Sequence, residues 1–262
     1  MVPQAGGKKG GVLPRPDHIV VVIFENEHRS SVIGSPQAPY LNKLAAQGAN
    51  LTHSYGITHP SQPNYLALFS GSTQGVSNDA CPQTFSSPNL ASDLARAGAT
   101  FAGYSEGLPQ VGDDVCDNGA YARKHAPWTN FPAVPAQVGR PFSDFPTSFS
   151  ALPTVAFVIP DLTHDMHDGS IAEGDTWLRQ HLADYAGWAP AHNSLLVLTF
   201  DEDDHSQQNR IFTLLVGAHV VAGRYHERLD HYRLFRTLEA LEGLAPSPPG
   251  GPSGPVTDAW GP

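Results

Sequence analysis

The 262-residue sequence predicts an α/β fold with a mainly parallel central sheet and helices on both of its faces. The first observation is a set of continuous apolar runs at 18–24, 155–159, 195–200 and 211–216. Runs of this kind are typical of strands that are buried on both faces. The second observation is that helical stretches separate most of these runs, and such alternation indicates a parallel sheet.

Proline and glycine mark the bounds of the helical stretches. Helices are predicted at 40–47, 63–70, 90–97, 174–185 and 231–241. Pro39 and Pro63 suit a first helical turn, where the missing N–H of proline costs nothing. Gly48, Gly71 and Gly98 follow three of the stretches, and glycine is the usual residue just beyond a helix end.

The sequence predicts a single α/β domain at 18–243, a size that one large domain can take. A flexible segment is predicted at 1–17, and a Pro/Gly-rich extension at 244–262 is predicted to lie on the surface. Residues 81–153 are rich in Pro, Gly, Ser and Asp, and loops of such length are uncommon in compact domains unless they are functional. We therefore predict a loop-rich insertion at about 81–153 that forms one wall of a site.

The composition excludes some classes of protein. The formal net charge is −10 and the sequence pI is about 5.6, so the chain lacks the basic stripe that a nucleic-acid binder requires. No apolar stretch approaches the ~18 residues of a membrane-spanning helix. No signal-peptide pattern opens the chain, so a secreted protein with this sequence would have lost its leader.

Two cysteines, Cys81 and Cys116, lie in loop-type sequence. An isolated pair is compatible with two free thiols. In an exported chain the expectation is a disulfide across the long loop, because disulfides persist in oxidising compartments.

Two of the apolar runs end in acidic clusters. Glu25 and Asn26 follow the first run, and Asp201 and Glu202 follow the run at 195–200. If these strands are parallel neighbours, their carboxyl ends lie at one sheet edge, where open α/β sheets bind ligands. Converging carboxylate and amide oxygens suit a hard cation. The alternative is a solvated acidic turn or a helix cap.

The segment 59–65, with the sequence HPSQPNY, leads into a predicted helix. Ser61 falls at or just before the helix N-terminus, where unpaired N–H groups and the helix dipole favour an anion. A serine there is also a common N-cap. Because a metal ion lowers the pKa of a coordinated hydroxyl, the nearby carboxylates favour the interpretation of Ser61 as a nucleophile.

A third cluster directly follows the run at 155–159, in a loop that carries His164, Asp165 and His167. Two histidines and three aspartates at a strand end are compatible with a second metal site. They are equally compatible with a general acid and phosphate contacts, or with an ordinary surface loop. His125 and His231, each taken singly, are more often structural.

Together these segments resemble the bacterial phosphoesterase family, which contains secreted acid phosphatases and phospholipases C and belongs to the alkaline phosphatase superfamily. The matching pieces are FEN at 24–26, HPSQPNY at 59–65, HDMHD at 164–168, TFDEDD at 199–204 and the HY pair at 231–232. The resemblance runs from about 18 to 260 and includes both cysteines and residues 121–128. It is closest to the small acid phosphatases that actinobacteria secrete.

The resemblance implies a role for each matching residue. Ser61 takes the place of the nucleophile, with His167 and His231 as the groups that donate a proton. The implied ligands of one divalent metal ion are Glu25, Asn26, Ser61, Asp201 and Glu202. The implied substrate contacts are His59, Asn78, Lys124, His125, Asp165 and His167. Related acid phosphatases have aspartate where Glu202 stands, and the spacing around Asp161 and His164 departs from that of two-zinc members, which favours one ion.

The resulting prediction is a secreted, metal-dependent acid phosphatase that hydrolyses phosphate monoesters, including phosphoinositides, through a phosphoserine intermediate. The metal ion is calcium, magnesium or zinc, and the partner is a small-molecule or lipid phosphate substrate. One alternative is a phosphodiesterase of the phospholipase C type. Another is a non-catalytic metal-binding surface protein. The oligomeric state cannot be read from the sequence.

Overall fold

The structure is a computed structural model that describes residues 13–247 and 254–261. The strands are β1 His18–Phe24, β2 Ala49–Tyr55, β3 Phe101–Ser105, β4 Asp117–Asn118, β5 Tyr121–Ala122, β6 Gly139–Pro141, β7 Val155–Ile159, β8 Ser194–Phe200, β9 Arg210–Ile211, β10 Thr213–Gly217 and β11 Gly223–Asp230. The helices are α1 Arg29–Val32, α2 Pro39–Gln47, α3 Ser61–Ser70, α4 Leu90–Arg96, α5 Ile171–Trp188 and α6 His231–Leu241. Of the predicted terminal segments, 1–12, 248–253 and 262 lie outside the described residues.

Strand β1 lies near the middle of a nine-stranded sheet with the order β11-β2-β10-β8-β1-β7-β3-β6, and β9 pairs with β2. β7 and β8 flank β1, and both run parallel to it. β10 runs antiparallel to β8 and to β2. The prediction of an α/β fold with a mainly parallel sheet is confirmed.

Alternate residues of β1 contribute to two separate cores, because successive side chains of a strand point to opposite faces. Ile19 and Val21 belong to the core under α3, α4 and α6. Val20 and Val22 belong to the core under α2 and α5. Helices therefore cover both faces of the sheet, as the continuous apolar run predicts.

Two helices begin earlier than predicted. α3 begins at Ser61 rather than at 63, which places the serine in the first turn. α5 begins at Ile171 because Ser170 and Glu173 form a capping box ahead of the apolar positions on which the prediction relied. None of the helices in the described part of the chain combines the length and apolar composition needed to cross a bilayer.

Four strands of the central sheet, β2, β3, β6 and β11, were not predicted, because their sequences lack a continuous apolar run. β2 is largely buried but carries polar residues among its apolar ones, β11 buries only Tyr225 and Leu229, and the two strands pair in parallel. β3 is short and carries glycine at 103. A Cβ at Gly103 would lie 2.2 Å from the ring of Trp128, so the glycine is what lets this indole pack against the strand.

The segment 81–153 differs from the predicted loop-rich insertion. Besides α4, which was predicted, it contains the sheet strands β3 and β6, and β3 pairs in parallel with β7 inside the central sheet. The predicted disulfide between Cys81 and Cys116 is present. The C-terminal extension also differs from the prediction of a surface segment, since Val256 and Ala259 are buried in the core beneath α6. The apolar side chains of Val256 and Ala259 favour burial, even though the residues around them are rich in proline and glycine.

Candidate active site

Three acidic residues meet at the carboxyl ends of the central strands. Glu25 follows β1, Asp201 follows β8, and Asp165 lies in the loop after β7. The N–H of Asp201 donates to the carbonyl oxygen of Phe24 at 2.9 Å, and the N–H of Glu25 donates to that of Asp165 at 2.8 Å. These backbone bonds set the residues that follow three adjacent strands side by side.

The three carboxyl groups are buried, and none exposes more than 1% of its residue surface. Burial raises the pKa of Glu25 well above its usual value, and the charges of Asp201 and Asp165 raise it further. Burial likewise raises the pKa of Asp165 well above its usual value, and it raises that of Asp201 to about 7. The cluster is therefore shielded from water and has an excess of acidic groups, which favours either protonation of these carboxyl groups or a bound cation.

Helix α3 supplies hydrogen bonds to both carboxylate oxygens of Glu25. Ser61 Oγ donates to Oε2 at 2.9 Å, and Tyr65 Oη donates to Oε1 at 2.6 Å. Ser61 and Tyr65 are four positions apart, so they lie on one face of the helix. The hydroxyl of Ser61 is thus oriented towards the carboxylate cluster and buried beside it.

His125 closes the cluster from the side of the segment 81–153. Its Nε2 lies 3.2 Å from Glu25 Oε1, and its Nδ1 lies 3.4 Å from Asp165 Oδ2. The ring stacks on that of Tyr65, with the centroids 4.8 Å apart. Burial lowers the pKa of His125 well below its usual value, so the neutral imidazole is favoured.

A second group of side chains stands beside the first. Asn64 Nδ2 donates to Glu202 Oε2 at 2.9 Å, and His59 Nδ1 lies 3.2 Å from the same oxygen. The ring of His59 stacks on that of His205 at 3.8 Å. Burial raises the pKa of Glu202 to about 9, and the charge of Asp201 contributes to the rise. Burial lowers the pKa of His59.

The two histidines predicted to donate a proton occupy different places. His231 is buried at the start of α6, and its Nε2 lies 2.5 Å from the backbone oxygen of Asp201. Burial lowers its pKa. His167 is partly exposed, its Nδ1 lies 2.7 Å from Asp168 Oδ1, and its ring centroid is 6.1 Å from that of His125. Only His167 combines closeness to the cluster with access to solvent.

Lys124 stands near the cluster and is held by a residue that the sequence analysis did not single out. Its Nζ donates to Asp79 Oδ2 at 2.9 Å. Asn78 is exposed, and its side chain accepts from the N–H of Ala80 at 3.0 Å, within its own turn. The structure thus places the loop of Asn78 near the start of α3 but gives its side chain a local partner.

The structure brings most of the predicted site residues together. Glu25, Ser61 and Asp201 share one place, and the N–H of Asn26 reaches Asp201 Oδ1 at 3.4 Å. Glu202, the next residue after Asp201, contacts His59 instead and belongs to the second group of side chains. The assignment of these residues to metal, substrate or proton stays a prediction.

Sequence reasoning missed three contributors. Tyr65 and Asn64 lie inside the motif HPSQPNY. Tyr65 is four positions after Ser61, and this helical spacing could have predicted that both Ser61 and Tyr65 contact Glu25. Asn64 contacts Glu202 instead. Asp79 carries no comparable signal. Its contacts with Gln62 and Lys124 join segments that are far apart in the chain.

The buried acids fit a divalent metal ion. Asp201 Oδ2 and Asp165 Oδ2 are buried without any hydrogen-bond partner in the described structure, as is His125 Nε2. Glu25, His125 and Asp165 each offer a ligand atom within 4.8 Å of the others. Carboxylate oxygens suit calcium and magnesium, and an added imidazole suits zinc. The donors present are therefore compatible with each of the predicted ions.

Comparison with known proteins identifies two phosphatases that are similar to this chain in sequence. The chain is 49% identical over 263 residues to a phosphatidylinositol-3-phosphatase of Mycobacterium tuberculosis, covering 99% of this chain and 88% of that protein. It is 33% identical over 223 residues to a phosphate-repressible acid phosphatase of Penicillium chrysogenum, covering 76% of this chain and 53% of the fungal enzyme. The chain thus spans about half of the length of that fungal relative.

A solved structure supports the fold. A protein of the alkaline phosphatase superfamily from Vibrio parahaemolyticus superposes with a TM-score of 0.61 at 14% identity, covering 90% of this chain and 68% of that one. The prediction of a phosphoric monoester hydrolase is confirmed. Since the profile of the Phosphoesterase family matches residues 31–245, the chain belongs to the Phosphoesterase family.

Proposed function

We propose that the protein is a secreted, metal-dependent acid phosphatase that forms a phosphoserine intermediate at Ser61. The observation that carries the proposal is the hydrogen bond from Ser61 Oγ to Glu25 Oε2 at 2.9 Å, at the start of a helix and beside three buried acids. A hydroxyl so placed has a carboxylate to orient it and a helix N-terminus to favour the anionic substrate.

The proposed metal ion is held by Glu25, Asp201 and Ser61, with Asn26 at the same strand end and Asp165 and His125 adjoining. When bound, the ion supplies positive charge for the phosphoryl oxygens and lowers the pKa of a coordinated hydroxyl. Tyr65 fixes Glu25 by its hydrogen bond to Oε1, and His231 contacts the backbone oxygen of Asp201 through its Nε2. Glu202 accepts a hydrogen bond from Asn64 and lies at the outside of this group of proposed ligands.

Ser61 passes its proton to Glu25 Oε2, the acceptor of its hydrogen bond, and Oγ attacks phosphorus in line with the leaving oxygen, so a P–O bond forms to the enzyme as the bond to the alcohol breaks. His167, with Nδ1 turned to Asp168, donates the proton that the leaving alkoxide takes up. His231 is the weaker candidate for this role because its Nε2 is engaged with Asp201. Water then attacks the phosphoserine: His167 takes up a proton from this water, Glu25 returns its proton to Ser61 Oγ, and phosphate is released.

The substrate class we propose is phosphate monoesters, with phosphatidylinositol 3-phosphate among them, on the basis of the named activity of the mycobacterial relative. His59 and Lys124 are proposed to contact the phosphoryl oxygens at the rim. Export is supported by the Cys81–Cys116 disulfide.

The first test is the variant Ser61→Ala with p-nitrophenyl phosphate as the substrate. Activity should fall by at least about 10³-fold, because Ser61 is the hydroxyl that donates to Glu25 Oε2 among the described residues. The melting temperature should stay close to that of the wild type. Acid quenching of the wild type with labelled substrate should leave phosphate on Ser61. Turnover by Ser61→Ala at near wild-type rate would overturn the proposal.

Two further measurements complete this test. Dialysis against a chelator should abolish turnover and labelling, and divalent cations added back singly should restore both. Hydrolysis of the monoester but not of bis-p-nitrophenyl phosphate separates a phosphatase from a phosphodiesterase. A fully active protein that metal analysis finds free of any divalent ion would refute the metal dependence.

A further inference from the structure

The first turn of α3 has no cap of its own. Its N-cap residue is Pro60, which makes no side-chain cap hydrogen bond, and Ser61 turns its hydroxyl to Glu25 instead. The N–H of Gln62 donates to Asp79 Oδ1 at 2.9 Å. A carboxylate from a segment 17 residues away therefore satisfies an N–H that helices leave open at their start, next to Ser61.

The second oxygen of Asp79 holds Lys124, with Nζ at 2.9 Å from Oδ2. Lys124 is followed by His125, which lies against Glu25 and Asp165. One carboxylate thus joins the turn that carries Ser61 to the turn that carries His125. Both members of the Asp79–Lys124 pair are partly exposed, at 28% and 20% of the side chain, so a ligand can reach the pair from solvent.

Covalent structure keeps these two segments together. Cys81, two residues beyond Asp79, is bonded to Cys116, whose backbone oxygen accepts from the N–H of Arg123 at 2.9 Å. Arg123 opens the turn that carries Lys124. The disulfide therefore tethers the loop of Asp79 to the loop of Lys124.

The charges near Lys124 explain why it needs an anchor. Burial lowers the pKa of Lys124, but the hydrogen bond and charge of Asp79 outweigh this effect, and the charges of Glu25 and Asp201 raise the pKa further. The acids behind the site thus attract the ammonium on its flexible four-carbon stem. Among the described residues, Asp79 alone accepts a hydrogen bond from Lys124 Nζ. Without Asp79, the ammonium would be free to move towards those acids.

We propose that Asp79 is a positioning residue, which fixes the backbone beside Ser61 with one oxygen and holds Lys124 towards the substrate phosphate with the other. The inference rests on the proposed function, because it takes the phosphoryl group as the partner of Lys124. A dianionic phosphate meets an ammonium already in position, so little side-chain freedom is lost on binding.

The test compares Asp79→Asn, Asp79→Glu and Lys124→Met with the wild type, using p-nitrophenyl phosphate and inorganic phosphate. Asparagine keeps an oxygen for Gln62 N–H but loses the ion pair. KM and the inhibition constant for inorganic phosphate should each rise about fivefold, with kcat within about twofold. Glutamate should recover part of this loss. A merely structural role would lower the active fraction, and hence kcat, without changing KM.

A double variant and a matched control sharpen the result. Asp79→Asn combined with Lys124→Met should bind phosphate no worse than Lys124→Met alone, because both changes remove one interaction. The exposed Asp117, in the same segment, serves as the control, and Asp117→Asn should behave as the wild type. An unchanged or lower KM in Asp79→Asn, or effects that multiply in the double variant, would overturn the inference.

Calorimetry of inorganic phosphate binding separates this inference from the proposed function. If the wild type neither binds phosphate nor becomes labelled at Ser61, the proposed function fails. If the wild type does both, and Asp79→Asn binds phosphate with the same dissociation constant, only the role of Asp79 fails.

Discussion

Glu25 is in contact with three other side chains of the candidate site. Its two oxygens accept from Ser61 and Tyr65, and His125 approaches the second of them. A buried carboxylate with this many partners has one orientation, and that orientation decides where the serine hydroxyl points. At the scale of single residues, the site depends on how firmly Glu25 is held.

The variant Tyr65→Phe tests this dependence. It removes the donor at 2.6 Å from Glu25 Oε1 and keeps the ring. Hydrogen bonds to charged groups contribute about 1.5–3 kcal/mol, so kcat/KM should fall about tenfold or more.

The control is Tyr185→Phe, since Tyr185 is equally buried but donates to backbone oxygens on the face of α5, away from Ser61. Its kcat/KM should equal that of the wild type. A kcat/KM of Tyr65→Phe that matched the control would show that the hydroxyl has no part in positioning Glu25.

The sequence could predict the grouping of Glu25, Ser61 and Asp201, because parallel strands bring their carboxyl ends to one edge and a helix N-terminus attracts anions. The resemblance implied Asp165 as a substrate contact of the same site, but the sequence could not show that the loop after β7 folds back so that the backbone oxygen of Asp165 accepts from the N–H of Glu25. Nor could it predict Asp79, whose partners depend on loop-to-loop contacts that have no periodic pattern.

Helices α2 and α5 show how one element completes another. The N-cap of α2, Ala38, makes no side-chain hydrogen bond. Asp175, buried in α5, accepts from the N–H of Tyr40 at 3.0 Å and from that of Leu41 at 2.7 Å. The carboxylate of one helix thus caps its neighbour across the core.

Replacing Asp175 with alanine should lower the free energy of unfolding by about 2–3 kcal/mol, because two buried N–H groups lose a charged acceptor. Urea unfolding measures this, and the kcat of the folded variant should not change. Asp184, exposed on the same helix, provides the control, with an expected effect of Asp184→Ala within about 0.5 kcal/mol. Equal effects of the two variants would contradict the cap.

At this scale the sequence predicts elements whose residues are uniformly apolar and fails where polar residues alternate. β1, β7 and β8 were predicted because they are buried on both faces. β2 was not predicted because Asn50, Thr52 and Ser54, which are buried, interrupt its apolar residues. β11 was not predicted because, as an edge strand, it exposes charged side chains along its length. The start of α5 was missed because its cap precedes the apolar positions.

Across the whole molecule, the edge opposite the candidate site carries its own buried acid. Glu242, just after α6, exposes 2% of its surface, and neither carboxylate oxygen has a hydrogen-bond partner in the described structure. Arg15 Nε lies 3.8 Å away. Burial raises the pKa of Glu242 to about 7.

A raised pKa fixes the sign of the pH dependence. The stability that Glu242 contributes is fully present below the pKa of the unfolded chain and is lost as pH rises through about 7. In Glu242→Gln this loss is absent, so the free energy of unfolding relative to wild type should increase by about 1–3 kcal/mol between pH 5 and pH 8. Chemical denaturation at each pH measures the difference. Parallel curves for the two proteins would count against a buried, ionising Glu242.

The acids of the proposed centre come from distant parts of the chain, with Glu25 after the first strand and Asp201 after the eighth. A ribosome releases the serine long before it releases Asp165 or Asp201. The proposed hydrolytic site therefore cannot form on a nascent polypeptide that ends before Asp201, and phosphate ester hydrolysis has to wait until β8 has joined the middle of the sheet.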